Sequence, residues 1–213
     1  MYKTLTLKMS GLAIILLLSI SGIQAQDSSS DAAYNSEGRF GIRLGGIISK
    51  QTFDEGNLLE DPESKFGLDI ALLYTMPIGD GFLNLQPELH WMQKGSTINS
   101  IDLNGNAAEY TTTLNYLELP VLLRVNFGGS VKLFAFAGPS VGYLLGVNSD
   151  DDFLKKDDFE DIDFGLHIGA GIGLGKFEID VRYMAGLSDV SAADGNVNDI
   201  KNSAFGAGLT YKF

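Results

Sequence analysis

The sequence contains no cysteine among its 213 residues. This excludes disulfide bonds, thiol catalysis, cysteine-ligated metals and attachment of lipid to an N-terminal cysteine. Basic residues are also few, with 15 Lys and Arg against 27 Asp and Glu, which gives a formal net charge of −12. Because phosphate binding needs clustered Lys and Arg, this balance argues against nucleic acid as a partner.

Long apolar runs are equally scarce. The longest, from Gly11 to Ile20, is shorter than the roughly 20 residues that a transmembrane helix needs. It follows Lys3 and Lys8 and precedes Ala25, an order typical of a secretory signal peptide. We therefore expect a signal peptide over residues 1–25, a short periplasmic N-terminal segment over residues 26–38, and one domain over residues 39–213. Without the signal peptide, 13 basic and 27 acidic residues give a formal charge of −14.

The rest of the chain breaks into runs of about ten residues in which apolar and polar or small side chains alternate, the period of a strand with two different faces. The closing run, SAFGAGLTYKF, is the clearest example. Phe205, Leu209 and Phe213 fall on one face of this run, and Gly206 and Thr210 fall on the other. About eight such runs follow one another, and helical spacing is nowhere sustained.

The connections between these runs alternate in length. Long connections are expected around residues 49–64, 95–110, 146–161 and 188–202, and short ones at PIGDG, at GGS and around Gly175. Short periplasmic turns alternating with long outward loops are typical of bacterial outer-membrane barrels. The sequence therefore predicts an all-β fold, an eight-stranded antiparallel up-and-down transmembrane β-barrel in the bacterial outer membrane.

Charged residues lie in the middle of the predicted strands, on the face opposite the apolar one. An eight-stranded barrel is just wide enough inside to be filled by side chains, and an unpaired buried charge costs several kcal/mol. We therefore expect a paired structural network rather than a catalytic, cofactor or metal site, with His167 also facing inward. The network is predicted to contain Arg43, Asp69, Glu88, His90, Glu118, Arg124, Glu178, Asp180 and Arg182.

Aromatic residues and prolines add two expectations. Aromatic side chains near strand ends are expected to form girdles at the two membrane interfaces: Phe40, Phe66, Tyr74, Trp91, Tyr116, Phe127, Tyr143, Phe177, Tyr183 and Phe213. Proline cannot donate a ladder hydrogen bond, so bulges or strand ends are expected near Pro87, Pro120 and Pro139.

Three segments around these prolines carry a family resemblance: LQPELHWMQKG (85–95), NYLELPVLLR (115–124) and AGPSVGYLL (137–145). Together with DFGLHIGAGIGL and the closing FGAGLTYKF, they resemble the PorT-like outer-membrane β-barrel family of Bacteroidetes over essentially the whole mature chain. The resemblance implies an outer-membrane barrel. The family's namesake is linked to type IX secretion and gliding-related export, but the family offers no active site to carry over.

Other motifs favour structural interpretations. GAGIGLG (169–175) lacks the spacing of a phosphate loop, and its glycines are expected to line a narrow interior opposite bulky neighbours. The acidic segments, NSDDDFLKKDDFED (148–161) among them, could hold Ca²⁺, but they lack the calcium-loop register and are expected to be solvated.

We therefore expect a non-enzymatic barrel with a plugged polar interior and long acidic outward loops. Its expected role is surface interaction or envelope and secretion assembly, with outer-membrane lipid and other envelope or secretion-system proteins as partners. Two alternatives stay open: a narrow channel for small solutes, and an outer-leaflet lipid-modifying enzyme that uses His90 or His167.

Overall fold

The computed structural model describes residues 38–53, 63–79, 82–101, 107–128, 131–149, 156, 159–188 and 200–213. The chain divides into two units, residues 1–33 and 34–213, and every described residue lies in the second. The predicted signal peptide, the predicted N-terminal segment except Gly38, and parts of the four predicted long connections lie outside the described residues. In the described ranges, no helix is long and apolar enough to cross a membrane.

The described chain forms eight antiparallel strands that close into a barrel. Each strand pairs with its neighbours in sequence, and β8 pairs with β1 to complete the wall. The predicted fold class is therefore confirmed. The strands are β1 (Arg39–Phe53), β2 (Glu63–Ile78), β3 (Leu83–Ile101), β4 (Ala107–Gly128), β5 (Val131–Ser149), β6 (Ile162–Leu174), β7 (Phe177–Gly186) and β8 (Ile200–Lys212).

Alternation along each strand separates an apolar outer face from a polar inner face, and β7 shows this most simply. Exposed and buried residues alternate from Phe177 to Met184; Ile179 is 62% exposed, whereas its neighbour Asp180 is 3% exposed. A water-soluble sandwich would bury the aliphatic face instead. Exposed aliphatic and buried charged residues are the arrangement of a barrel whose outer wall contacts lipid.

The strands extend further into the outward connections than the sequence suggested. β3 and β4 pair continuously from Gly95 opposite Thr113 to Ile101 opposite Ala107, so the predicted connection 95–110 shortens to residues 102–106. The segments STINSI and EYTTTL are rich in Thr, Ile and Tyr, which favour strands. At the opposite end of the barrel, Gly79 and Gly175 have φ of 68° and 58°, as the tight short turns require.

The prolines interrupt the ladders without ending strands or shifting their register, so the expectation of bulges or strand ends there was wrong. At each proline, the pairing with the preceding strand is interrupted, and the same number of residues is left unpaired on each of the two strands. The register is therefore the same before and after the interruption. Each proline keeps a register partner on the following strand: Val121 for Pro87, Ser140 for Pro120 and Leu166 for Pro139. A residue without an N–H loses a ladder bond to one adjacent strand. Pairing with the adjacent strand on the other side keeps each proline within the barrel wall.

The prediction of aromatic girdles was wrong for Tyr116, which lies inside the barrel and is 0% exposed. It shares the inward face of β4 with Glu118, two residues along. There it joins a buried apolar cluster that also contains Ile47, Met92, Leu114, Leu144, Met184 and Ala204. Tyr74, by contrast, packs beside Phe40 on the outer face, with ring centroids 4.5 Å apart.

Candidate functional site

The polar inner face forms a core of charged side chains inside the barrel. The structure places all nine residues of the predicted network there, none of them more than 6% exposed, and His167 with them. Lys94, Asp163 and Lys212 are buried in the same way but were missing from the predicted network. Each occupies a polar-face position of its strand, so the alternation that identified the other nine could have found these three.

At the centre of the core, Arg43 joins β1 to β2 and β7. Its Nη1 donates to Asp69, and its Nε and Nη2 donate to the two carboxylate oxygens of Asp180 at 2.8 and 3.0 Å. The guanidinium fills the space beside Gly45, where an added Cβ would lie 2.7 Å from Nη1. Arg182 donates to Glu88 at 2.8 Å and to Asp180 at 3.1 Å, which connects β7 to β3.

His90 lies between two carboxylates of this central group. Its Nδ1 is 2.6 Å from Asp69 Oδ1, and its Nε2 is 2.5 Å from Glu88 Oε2. The other oxygen of each carboxylate accepts a hydrogen bond as well, from Arg43 at Asp69 and from Gln86 at Glu88. An ionised carboxylate only accepts hydrogen bonds, so with both carboxylates ionised each ring nitrogen of His90 would donate and the imidazole would be a cation.

This arrangement predicts different ring states for the two histidines. Nitrogen NMR of the folded barrel at neutral pH should show two protonated ring nitrogens for His90, because both donate to carboxylates. His167, the control in the same molecule, should show one, because its Nε2 is 2.7 Å from Glu118 and its Nδ1 has no hydrogen-bond partner within the described chain. A single protonated nitrogen on His90 would contradict the assignment.

A second group of charged side chains occupies the end of the barrel where the short turns lie. Arg124 binds both carboxylate oxygens of Glu178 at 2.8 and 2.7 Å. Lys212 lies 3.1 Å from the same carboxylate and donates to Thr75 at 2.9 Å. The Arg124 guanidinium also stacks on Phe134, 3.7 Å from the ring centroid, so a planar cation and an aromatic ring fill this part of the lumen.

A third group lies toward the end with the long connections. Lys94 is 2.8 Å from Glu118 and 3.6 Å from Asp163, and Asn202 donates to Asp163 at 3.2 Å. The apolar cluster around Tyr116 packs beside this group, with Phe159 against it. Charged pairs and an apolar layer therefore fill the lumen on this side too.

The buried charges balance when His90 is a cation. Among the described residues, five cations and six carboxylates are buried: Arg43, Lys94, Arg124, Arg182 and Lys212 against Asp69, Glu88, Glu118, Asp163, Glu178 and Asp180. The sixth cation is His90. An uncompensated buried charge is strongly destabilising, so burial in the barrel interior favours a neutral, paired core.

In the described part of the chain, no group of three His, Asp or Glu side chains is placed to hold a metal ion. Most of the acidic segment 148–161 that was considered for Ca²⁺ lies outside the described residues. Of its described members, Lys156 pairs with Asp161 at 2.9 Å. The hydrogen bond from this carboxylate partner raises the pKa of the Lys156 ammonium.

Comparison with known proteins identifies the family. Residues 24–192 match the family described as outer membrane protein beta-barrel domain, which spans well over half of the chain. No curated protein matches the sequence.

Several solved outer-membrane barrels are similar in fold. Neisserial surface protein A is 15% identical with a TM-score of 0.49, and the match covers 82% of this chain and 97% of that one. The outer membrane enzyme PagL is 13% identical with a TM-score of 0.46, covering 79% and 98%. OprG from Pseudomonas aeruginosa is 14% identical with a TM-score of 0.45, covering 84% and 97%.

Proposed function

The chain belongs to the outer membrane protein β-barrel domain family and resides in the bacterial outer membrane, and from this premise we propose that it is a non-enzymatic surface or assembly protein. In this proposal the barrel is a closed scaffold, and its outward connections contact other envelope components. The observation that carries the proposal is the charged interior, in which carboxylates and cations neutralise one another inside the lumen.

The same interior argues against a channel for small solutes. Arg43, Arg182 and His90 bridge four strands through shared carboxylates. Ion passage would have to separate these pairs and leave buried charges without their partners, which is unfavourable. A side-chain network of this density favours a plug over a pore.

The interior argues against an enzyme of the outer leaflet as well. A general base needs a free nitrogen within reach of the proton that it removes, and both His90 nitrogens are bonded to carboxylates. His167 Nδ1 has no hydrogen-bond partner among the described residues, but the side chain is 0% exposed, on the inner face, away from bound lipid.

We further propose that the chain is a member of the PorT-like group of this family, an outer-membrane protein of Bacteroidetes with an accessory role in protein export. The segments around Pro87, Pro120 and Pro139 support this affiliation. They lie on three neighbouring strands, β3, β4 and β5, where they form one patch of the barrel wall. In this proposal residues 1–25 direct secretion and are removed.

Replacing residues 150–155 and 189–199 by Gly-Ser segments of equal length tests the role of the outward connections. We expect chemical cross-linking in intact cells to capture envelope proteins with the native chain and to lose them with the replaced chain, because recognition resides in these loops. The matched control replaces residues 27–32 in the same way and should keep the partners.

Both replacement chains should keep heat-modifiable migration on gels, which reports an intact barrel. Unchanged partners after loss of the outward segments would contradict the proposal, and so would loss of the partners in the control alone.

A further inference from the structure

The β3–β4 hairpin rises above the rest of the barrel wall at the end with the long connections. On β4, Leu117 pairs with Tyr143, which pairs in turn with Ile162, the first residue of β6. β4 begins ten residues before Leu117, at Ala107, which is about 26 Å further out at roughly 3.4 Å per residue and a strand tilt of about 40°. β6 has 13 residues and already spans about 34 Å, more than the ~25 Å apolar band of a barrel. The end of the hairpin therefore lies outside the membrane.

This end of the hairpin has two strand edges. Among the residues that the structure describes, β2 pairs with β3 only as far as Thr97, opposite Glu63, and β5 pairs with β4 only as far as Thr112, opposite Ser149. Beyond these positions the two arms continue to pair with each other. We call them the hairpin extension: residues 98–101 of β3 and residues 107–110 of β4. The outer side of an edge strand presents backbone N–H and C=O groups, a template for another extended chain.

The hairpin extension lacks the features that block pairing at an edge. Natural proteins protect edge strands with lysine, proline or bulges. The extension contains no Lys, Arg or Pro, and its two arms keep an unbroken register from Ile98 opposite Tyr110 to Ile101 opposite Ala107. Ile and Tyr also favour extended backbone. The extension is therefore suited to strand addition, in which main-chain hydrogen bonds supply the affinity.

The sequence next to the β3 edge identifies the charge of a suitable partner. The chain enters β2 at Glu63, and residues 54–63 contain five Asp and Glu but no Lys or Arg. On the β4 side, residues 150–161 contain seven acidic residues but also two lysines. The first cation on β2, Lys65, lies on the lumenal face with its register partner Ser49. The β3 edge is therefore the more uniformly anionic of the two, and it is complemented by a basic segment.

We propose that a basic extended segment of another envelope protein adds as a strand to β3 at residues 98–101. The inference rests on the proposed function, a surface or assembly protein that contacts envelope components, and specifies the mode of contact. The added strand continues the line of β2 beyond Glu63, and its backbone bonds to the outer edge of β3. A second copy of this chain is a poor occupant, because it would bring two sets of the same carboxylates together.

Fluorescence anisotropy of a labelled Lys-Thr-Lys-Thr-Lys-Thr peptide tests the proposal, with the barrel in phosphatidylcholine nanodiscs and empty nanodiscs as background. We expect the peptide to bind, and its acidic counterpart with Glu in place of Lys to bind more weakly. Methylating every backbone nitrogen of the basic peptide keeps its charge but removes its main-chain donors. Binding should then weaken on the order of 25-fold, because about two net hydrogen bonds of about 5-fold each are lost.

A shortened chain, in which Asn-Gly replaces residues 98–110, removes the edge itself. Thr97 and Thr111 lie opposite each other, and a two-residue turn of this sequence joins paired strands. The shortened chain should also bind the peptide on the order of 25-fold more weakly. Asp102→Asn/Glu109→Gln is the matched control, because it removes the same two charges, keeps the edge and should retain most of the binding. Glu63→Gln should weaken binding more than Glu160→Gln, which lies before β6.

Heat-modifiable migration verifies that each variant is folded. Equal binding of the basic peptide and its methylated form, or unchanged binding to the shortened chain, would overturn the proposal, since charge alone would then attract the peptide. Binding only after residues 54–62 are replaced by a Gly-Ser segment would assign the edge to that segment of this chain instead. If the native chain binds no peptide but still captures envelope proteins by cross-linking, strand addition is overturned and the proposed function stands.

Discussion

Replacing Arg43 by Met is expected to lower the free energy of unfolding by about 3–5 kcal/mol, the cost of leaving buried carboxylates without their cation. Arg43 is 0% exposed and donates to both Asp69 and Asp180. Methionine keeps much of the side-chain volume but removes every one of these donors. Asp69 and Asp180 would then lose the cation that they share, and the lumen would gain one uncompensated negative charge.

Equilibrium urea unfolding of the barrel in lipid vesicles measures this loss of stability. The folded fraction at each urea concentration is read from gel migration without boiling. Lys176→Met is the matched control, because it removes a cation from an exposed turn and should change stability by no more than about 0.5 kcal/mol. A loss below about 1 kcal/mol for Arg43→Met would show that the central ion pairs do not hold the barrel together.

Gly169→Ala is expected to destabilise the barrel by about 1–3 kcal/mol, the usual cost of overpacking. An added Cβ at Gly169 would lie 2.5 Å from the Val181 carbonyl oxygen and closer still to the Phe136 ring. The ring can move, but the carbonyl belongs to the wall of the neighbouring strand. The glycine therefore leaves room for Phe136, which stacks under the Arg182 guanidinium at 5.0 Å.

Gly173→Ala provides the control on the same strand and the same inner face. Its added Cβ would lie 3.4 Å from the nearest atom, in the Glu178 side chain, which is ordinary contact. The same urea titration should give a change within about 0.5 kcal/mol. Equal losses at Gly169 and Gly173 would mean that backbone freedom, rather than space beneath an aromatic ring, explains the glycines of this segment.

The sequence was sufficient to predict the fold because each strand has one apolar and one polar face. Strand number, antiparallel order and the inward face all follow from alternation with period two and from the connection lengths. The same alternation assigned Glu88 and Asp180 to the interior, where the structure places them. Tyr116 was misplaced because its aromatic character was given more weight than its position two residues from Glu118.

Partners inside the lumen could not be predicted from the sequence. Arg43 bonds to Asp180, 137 residues away, and Arg182 bonds to Glu88, 94 residues away. These contacts depend on the stagger between strands and on side-chain length, neither of which alternation encodes. The prolines show the same limit, because a missing N–H predicts a lost ladder bond but not whether the strand slips, bends or continues.

The most direct test of the proposed closed interior is the electrical conductance of the refolded barrel in a planar lipid bilayer. Insertion is verified first by heat-modifiable migration of the same preparation. We expect no stable conductance, because paired charges and the apolar cluster around Tyr116 fill the lumen. A steady single-channel conductance that changes when Arg43 or Arg182 is neutralised would contradict the closed scaffold and make the interior a pore.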